Sequence, residues 1–191
     1  MNSQTITLHD IAGFCTEEAI WKMMADLSSM VGTPAAPPSL SPAVVTVDGS
    51  AFYVSDNVLP DAVFMPPEQP AAQRQCAPEG LVWAIGALAC YAATGHVLFG
   101  GRGGTYQRQH QEVALPVLPK AMQQLTPVVQ RCLHAKPGER IGAAELHDAA
   151  LEQLERCKRK VRPVAPKRAE EDSTTKNTMA GQRWPEEMSE Q

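Results

Sequence analysis

The sequence predicts a mainly α domain that carries one small β-hairpin and ends in a disordered tail. Three observations predict it. Apolar residues recur at helical spacing across Glu17–Met30. The stretch 79–94 is apolar on almost every side, which implies a helix at the centre of a domain. Two short β-branched and aromatic runs flank Asp48-Gly49, a strong local hairpin signal. The composition fits one modest core: 43% of the 191 residues are apolar but only 5% are aromatic, so Leu, Ile, Val, Met and Ala must fill it.

Taken in order, the first helix rests on Ile20, Met24, Leu27 and Met30, with Met23 and Val31 beside them. Thr16 is placed to cap it, Glu17 and Glu18 suit its positive end, and Gly32 stops it. A Pro-rich loop, TPAAPPSLSP, leads to the hairpin VVTVDGSAFYV. The following stretch, 55–80, is rich in Pro and polar residues and reads as a long loop, a length that in compact domains is often functional. The buried helix over 79–94 ends at Gly95, and FGGRGGT reads as a Gly-rich flexible connector. A short helix over 119–124 is followed by one over 126–134, with Thr126 as its cap and Pro127 in its first turn. Pro137-Gly138 is a turn, and a last helix runs from Ala143 to about Lys160 with Leu146, Ala149, Ala150 and Leu154 on one stripe. Residues 161–191 lack periodicity and are mostly polar. The organisation is therefore a domain over 1–160 and a disordered tail over 161–191.

Charge and cysteine usage exclude several classes. Residues 1–157 carry 9 Lys+Arg against 15 Asp+Glu, and residues 158–191 carry 8 against 6. A mildly acidic body argues against nucleic acid as its partner. No apolar run approaches the roughly 18 residues of a membrane span, and the N-terminus lacks a secretory pattern. Five scattered cysteines, none in a CxxC pair, read as reduced thiols of an intracellular, cytoplasmic protein. Five histidines without ligand spacing give no metal site, and no cofactor is expected.

Four landmarks then stand in a familiar order. VVTVDGSAFYVSDN resembles the protein kinase segment that carries the metal-binding Asn and the DFG motif. FMPPEQ, from Phe64 to Gln69, resembles the motif closing the activation segment. LVWAIGALACYAATG resembles the buried central helix of the kinase C-lobe, and LTPVVQRCLHAKPGERIGAAEL resembles its last part. Together they span about residues 40–155. The opening, with Glu17, Glu18, Ile20 and Trp21, is similar to the start of kinase non-catalytic C-lobe (KIND) domains.

The resemblance implies a C-lobe-like helical domain with no N-lobe, the chain ahead of its first helix being too short to hold one. It also implies which positions would carry chemistry. Phosphoryl transfer needs a phosphate cradle, a Lys, magnesium ligands and an Asp that orients the hydroxyl. The base falls at Ser39, the magnesium-binding Asn at Val44 and the DFG Asp at Asp56. Ser39 cannot act as that base, Val44 has no ligand atom, and Asp56 stands alone, so no enzymatic activity is expected. Structural positions fare better. Glu68 and Arg140 match a buried ion pair of the family, while Trp83 and Gly86 match packing positions and Leu81 replaces a bracing Asp.

The remaining signals each have two readings. GGRGGT lacks the Lys and the strand-to-helix setting of a phosphate loop, and reads as a connector. Arg156 to Arg168 holds seven basic residues, which suit a nuclear import signal, a nucleic-acid or membrane contact, or the solvated end of a helix. Met23, Met24 and Met30 suit a repackable binding face or the core. The expected function is that of a catalytically inactive kinase-like module binding a protein or peptide. The alternative is a divergent kinase fragment that still binds nucleotide.

Overall fold

The computed structural model describes residues 5–56, 60–70, 72–110 and 113–161. The tail expected over 161–191 falls, past Val161, outside the described residues, as do positions 57–59 and 71 of the long loop. The described chain is mainly helical with a small antiparallel sheet. Its helices are α1 (Leu8–Ile11), α2 (Glu17–Met30), α3 (Pro78–Thr94), α4 (Gly103–Gln109), α5 (Thr126–Cys132) and α6 (Ala143–Val161). Its strands are β1 (Ile6–Thr7), β2 (Val45–Asp48) and β3 (Ala51–Val54), in the order β1-β2-β3.

Helix α3 forms the centre. Every residue from Gly80 to Ala93 is buried, because no face of it carries a polar stripe to turn toward water. It packs on α2 and α5, and Gly95 closes it in the left-handed conformation (φ 71°) that its C-terminal end requires. Gly86 lets α5 approach: a Cβ there would lie 2.6 Å from the Cβ of Cys132. Helix α2 packs against α6 and the sheet. Thr16 accepts from the Ala19 N–H at 3.1 Å, satisfying one of the helix's orphan donors. Met23 and Met24 are fully buried in the core and Met30 is partly buried, so these methionines form no exposed binding face.

The sheet follows the two-residue alternation of strands. Val45, Val47, Phe52 and Val54 pair across β2 and β3 on the face toward the core, and Tyr53 faces solvent. The outer edge of β3 is guarded by α2, where Asp26 accepts from the Phe52 N–H at 3.0 Å while also pairing with Lys22.

Four expectations need correction. The hairpin loop is Gly49-Ser50, one residue later than the Asp48-Gly49 signal, since Asp48 still pairs with Ala51. The sheet also gains a third strand, because Ile6 and Thr7 pair with Val47 and Thr46. Thr126 is the first helical residue of α5, not its cap: a 3-10 turn (Lys120–Leu125) runs directly into the helix, so the backbone there is already helical. FGGRGGT is no flexible connector. Residues from Gly103 onward form α4, and its glycines permit contact with the 62–67 segment. A Cβ on Gly103 would stand 2.4 Å from the Val63 carbonyl oxygen, and one on Gly104 would stand 2.4 Å from backbone atoms of Pro66 and Pro67.

Candidate functional site

The segment from Asp61 to Gln69 is held from three sides. Asp61 accepts from the Val63 N–H at 2.9 Å and starts a short 3-10 turn (Ala62–Phe64). Gly104 donates its N–H to the Met65 carbonyl at 3.1 Å, so α4 lies directly against the chain. On the other side Gly80, in the first turn of α3, leaves room for Pro66, Glu68 and the Cys76 thiol. A Cβ there would fall 2.4 Å from that sulfur.

This packing delivers Glu68 to Arg140. Nη1 and Nη2 of Arg140 donate to Oε1 and Oε2 of Glu68, each at 2.7 Å, the bidentate geometry in which a guanidinium matches a carboxylate. Arg140 further donates to the carbonyls of His134 (2.8 Å), Glu79 (2.9 Å) and Ala135 (3.2 Å). A guanidinium has five N–H groups, and all five are thereby used. The Arg140 side chain is 1% exposed and that of Glu68 is 29% exposed, so the cation is buried while water still reaches one side of the carboxylate. One side chain thus ties together the 61–69 segment, the start of α3 and the turn ahead of α6.

Of the positions matched to catalytic roles, Ser39 and Val44 are buried and Asp56 is exposed. Ser39 lies buried in the loop between α2 and β2, and its hydroxyl has no hydrogen-bond partner among the described residues. Val44 is buried, and its carbonyl accepts from the Ser55 N–H at 2.9 Å. Asp56 is exposed just past β3. Beside it opens a cavity of about 300 Å³ walled by Pro34–Pro38 and by Val54, Ser55 and Asp56, and Ser39 is not in its wall. No group of three or more His, Cys, Asp or Glu side chains among the described residues is placed to hold a metal ion. Nor is any described helix long and apolar enough to cross a membrane.

Trp83 is fully buried, and its indole N–H donates to Gln107 at 2.9 Å. Gln107 in turn donates to the Leu133 carbonyl at 2.6 Å, linking α3, α4 and the end of α5. The five cysteines are free and buried. Burial pushes the Cys76 thiol up to about 12, with the Glu68 carboxylate adding to the effect, and burial alone pushes Cys90 up to about 12. Neither is a thiolate nucleophile at neutral pH.

Sequence reasoning missed two features. Gln107 carried no signal, since its role depends on α4 existing. A second, larger groove also went unseen because four separate segments build it: Ile11, Phe14, Val47, Phe52 and Leu154 line about 540 Å³. Phe14 held the one available clue. Cys15, directly before the Thr16 cap, takes the inward place usual for that position, while Phe14, one residue earlier, is a large apolar side chain left 89% exposed. No family model matches the chain, and no curated protein matches it.

Proposed function

We propose that the chain is a catalytically inactive, kinase C-lobe-like domain that binds a protein or peptide partner. The observation that carries this reading is the Glu68–Arg140 pair. It joins the segment that resembles the close of a kinase activation segment to the turn that resembles the one before the last C-lobe helix. The brace of such a scaffold is present, while the positions that resemble its chemical centre are a buried Ser39, an apolar Val44 and a lone, exposed Asp56. Phosphoryl transfer is almost wholly positioning and charge stabilisation, and one unsupported carboxylate supplies neither. The partner's place, on this reading, is the face formed by Pro34–Pro38, Ser55 and Asp56, which in a kinase lies toward the N-lobe.

Two measurements on the full chain test the proposal. Thermal melts with ATP and magnesium should leave the Tm unchanged. A ligand present at a hundredfold its Kd stabilises by about 2.7 kcal/mol, which is readily seen. Affinity capture should retain a partner that an Asp56→Arg, Pro37→Glu variant releases. A Tm raised by ATP and magnesium, or partner retention indifferent to that variant, would overturn the reading.

A further inference from the structure

The groove between the N-terminus of α2, the sheet and the end of α6 is apolar inside and carries two lysines and one glutamate at its rim. Phe14, Val47, Phe52 and Leu154 form its walls, and Lys22 and Lys158 stand at its edge with Glu18 beside them, so the lysines outnumber the carboxylate there. Each lysine is paired only within its own helix, Lys22 with Asp26 in a half-buried pair and Lys158 with Glu155 in an exposed one. The exposed Lys158–Glu155 pair contributes little and is exchanged at small cost. Arg159 and Lys160 follow in the last turn of α6 and add positive charge at the same end.

The sequence contains a segment of complementary chemistry. Beyond Tyr106 the only aromatic residue is Trp184, and it opens the run WPEEMSEQ, which holds Met188, three glutamates and no basic residue. We propose that this segment of the chain's own C-terminus seats in the groove. Trp184 and Met188 lie against Phe14, Val47 and Leu154, and Glu186 and Glu187 face Lys22 and Lys158.

The tether permits it. Leu154 and Lys158 belong to the helix from which the C-terminal residues depart, and the end of α6 lies only about 5–10 Å of helix rise beyond them. Between Val161 and Trp184 lie 22 residues, which as a coil have an r.m.s. reach of about 26 Å. A tether of that kind gives an effective concentration on the order of 1 mM. A segment that binds with a Kd of about 100 µM when separate would then be seated roughly ten times as often as it is free. The inference concerns a different surface from the proposed partner face and stands independently of it.

The test uses the full chain labelled with 5-fluorotryptophan. Trp21 and Trp83 are fully buried, so their resonances report the fold, and a Trp184→Phe variant assigns the third. The expected result is a Trp184 signal shielded from solvent, with acrylamide quenching several-fold below that of a free tryptophan peptide and unchanged on tenfold dilution. Phe14→Ser and Lys158→Glu, both at exposed positions, should each restore peptide-like quenching of Trp184 while leaving Trp21 and Trp83 unmoved. Three results would overturn the proposal: Trp184 freely quenched in the native chain, shielding unaffected by either groove substitution, or shielding lost on dilution, which would assign the groove to a second copy.

Discussion

Replacing Glu68 by Ala removes two of the five acceptors around Arg140 and leaves a guanidinium whose side chain is 1% exposed without its counter-charge. For a fully buried pair, loss of one partner costs about 3–5 kcal/mol. Glu68 is 29% exposed, so water can enter where its carboxylate stood and recover part of that. The expected loss is therefore about 2–3 kcal/mol, because three carbonyls still hold the guanidinium in place. In a domain of this size that corresponds to roughly 5–10 °C in Tm. Glu68→Gln keeps the shape and one acceptor and should lose about half as much. Arg140→Lys should resemble Glu68→Ala, since an ammonium cannot meet a carboxylate and three carbonyls arranged around a planar fork. Urea unfolding of the three variants supplies the values. A Glu68→Ala loss below about 0.5 kcal/mol would refute the reasoning, because that is the range of an exposed pair with no part in holding three segments together.

Gly104→Ala should destabilise by about 1–3 kcal/mol through its clash with the Pro66–Pro67 backbone. Gly100→Ala, which meets nothing within 4 Å, should cost only the left-handed conformation, about 1 kcal/mol; paired urea curves distinguish the two. Ser39→Ala removes a buried hydroxyl without a partner and should stabilise by about 1 kcal/mol, read as a raised urea midpoint at unchanged m value. Native protein at pH 8 should release almost no thiol to a disulfide reagent, while urea should expose all five. Cys76 and Cys90, with pKa values raised to about 12, should remain thiols up to about pH 11 as long as the fold holds.

Helices with a strong period were legible from sequence alone. Glu17–Met30 came out with both ends correct, because Thr16, the paired glutamates and Gly32 mark them chemically. The buried α3 and the stripe of α6 were equally plain. Strand β1 was not, for two residues carry no period and Ile6-Thr7 becomes a strand only because β2 lies alongside. Helix α4 was hidden by its own glycines. In isolation Gly103 and Gly104 read as helix breakers, whereas in the fold they are the only residues small enough to lie against the 62–67 backbone. At the site, Glu68 and Arg140 could be named as partners from the motifs around them. Three of the five acceptors of Arg140 are main-chain carbonyls, which any residue at 79, 134 and 135 would supply, so no side chain announces them.

The packing of α2 against α6 has a consequence for how the protein is made. These helices are close neighbours in space although more than a hundred residues separate them, and His147 reaches across to within 2.9 Å of the Ala25 carbonyl. A ribosome therefore releases α2 long before the helix that shields it exists. The nascent chain must carry Met23, Met24 and Leu27 uncovered until residues beyond 143 emerge, and must do so with the largely apolar α3 already synthesised. Assembly is closed by α6 rather than built outward from α2. Long-range closure of this kind slows folding and lengthens exposure to chaperones and proteases. A premature stop anywhere before α6 should thus yield a polypeptide that is degraded or aggregated, not a shorter working domain.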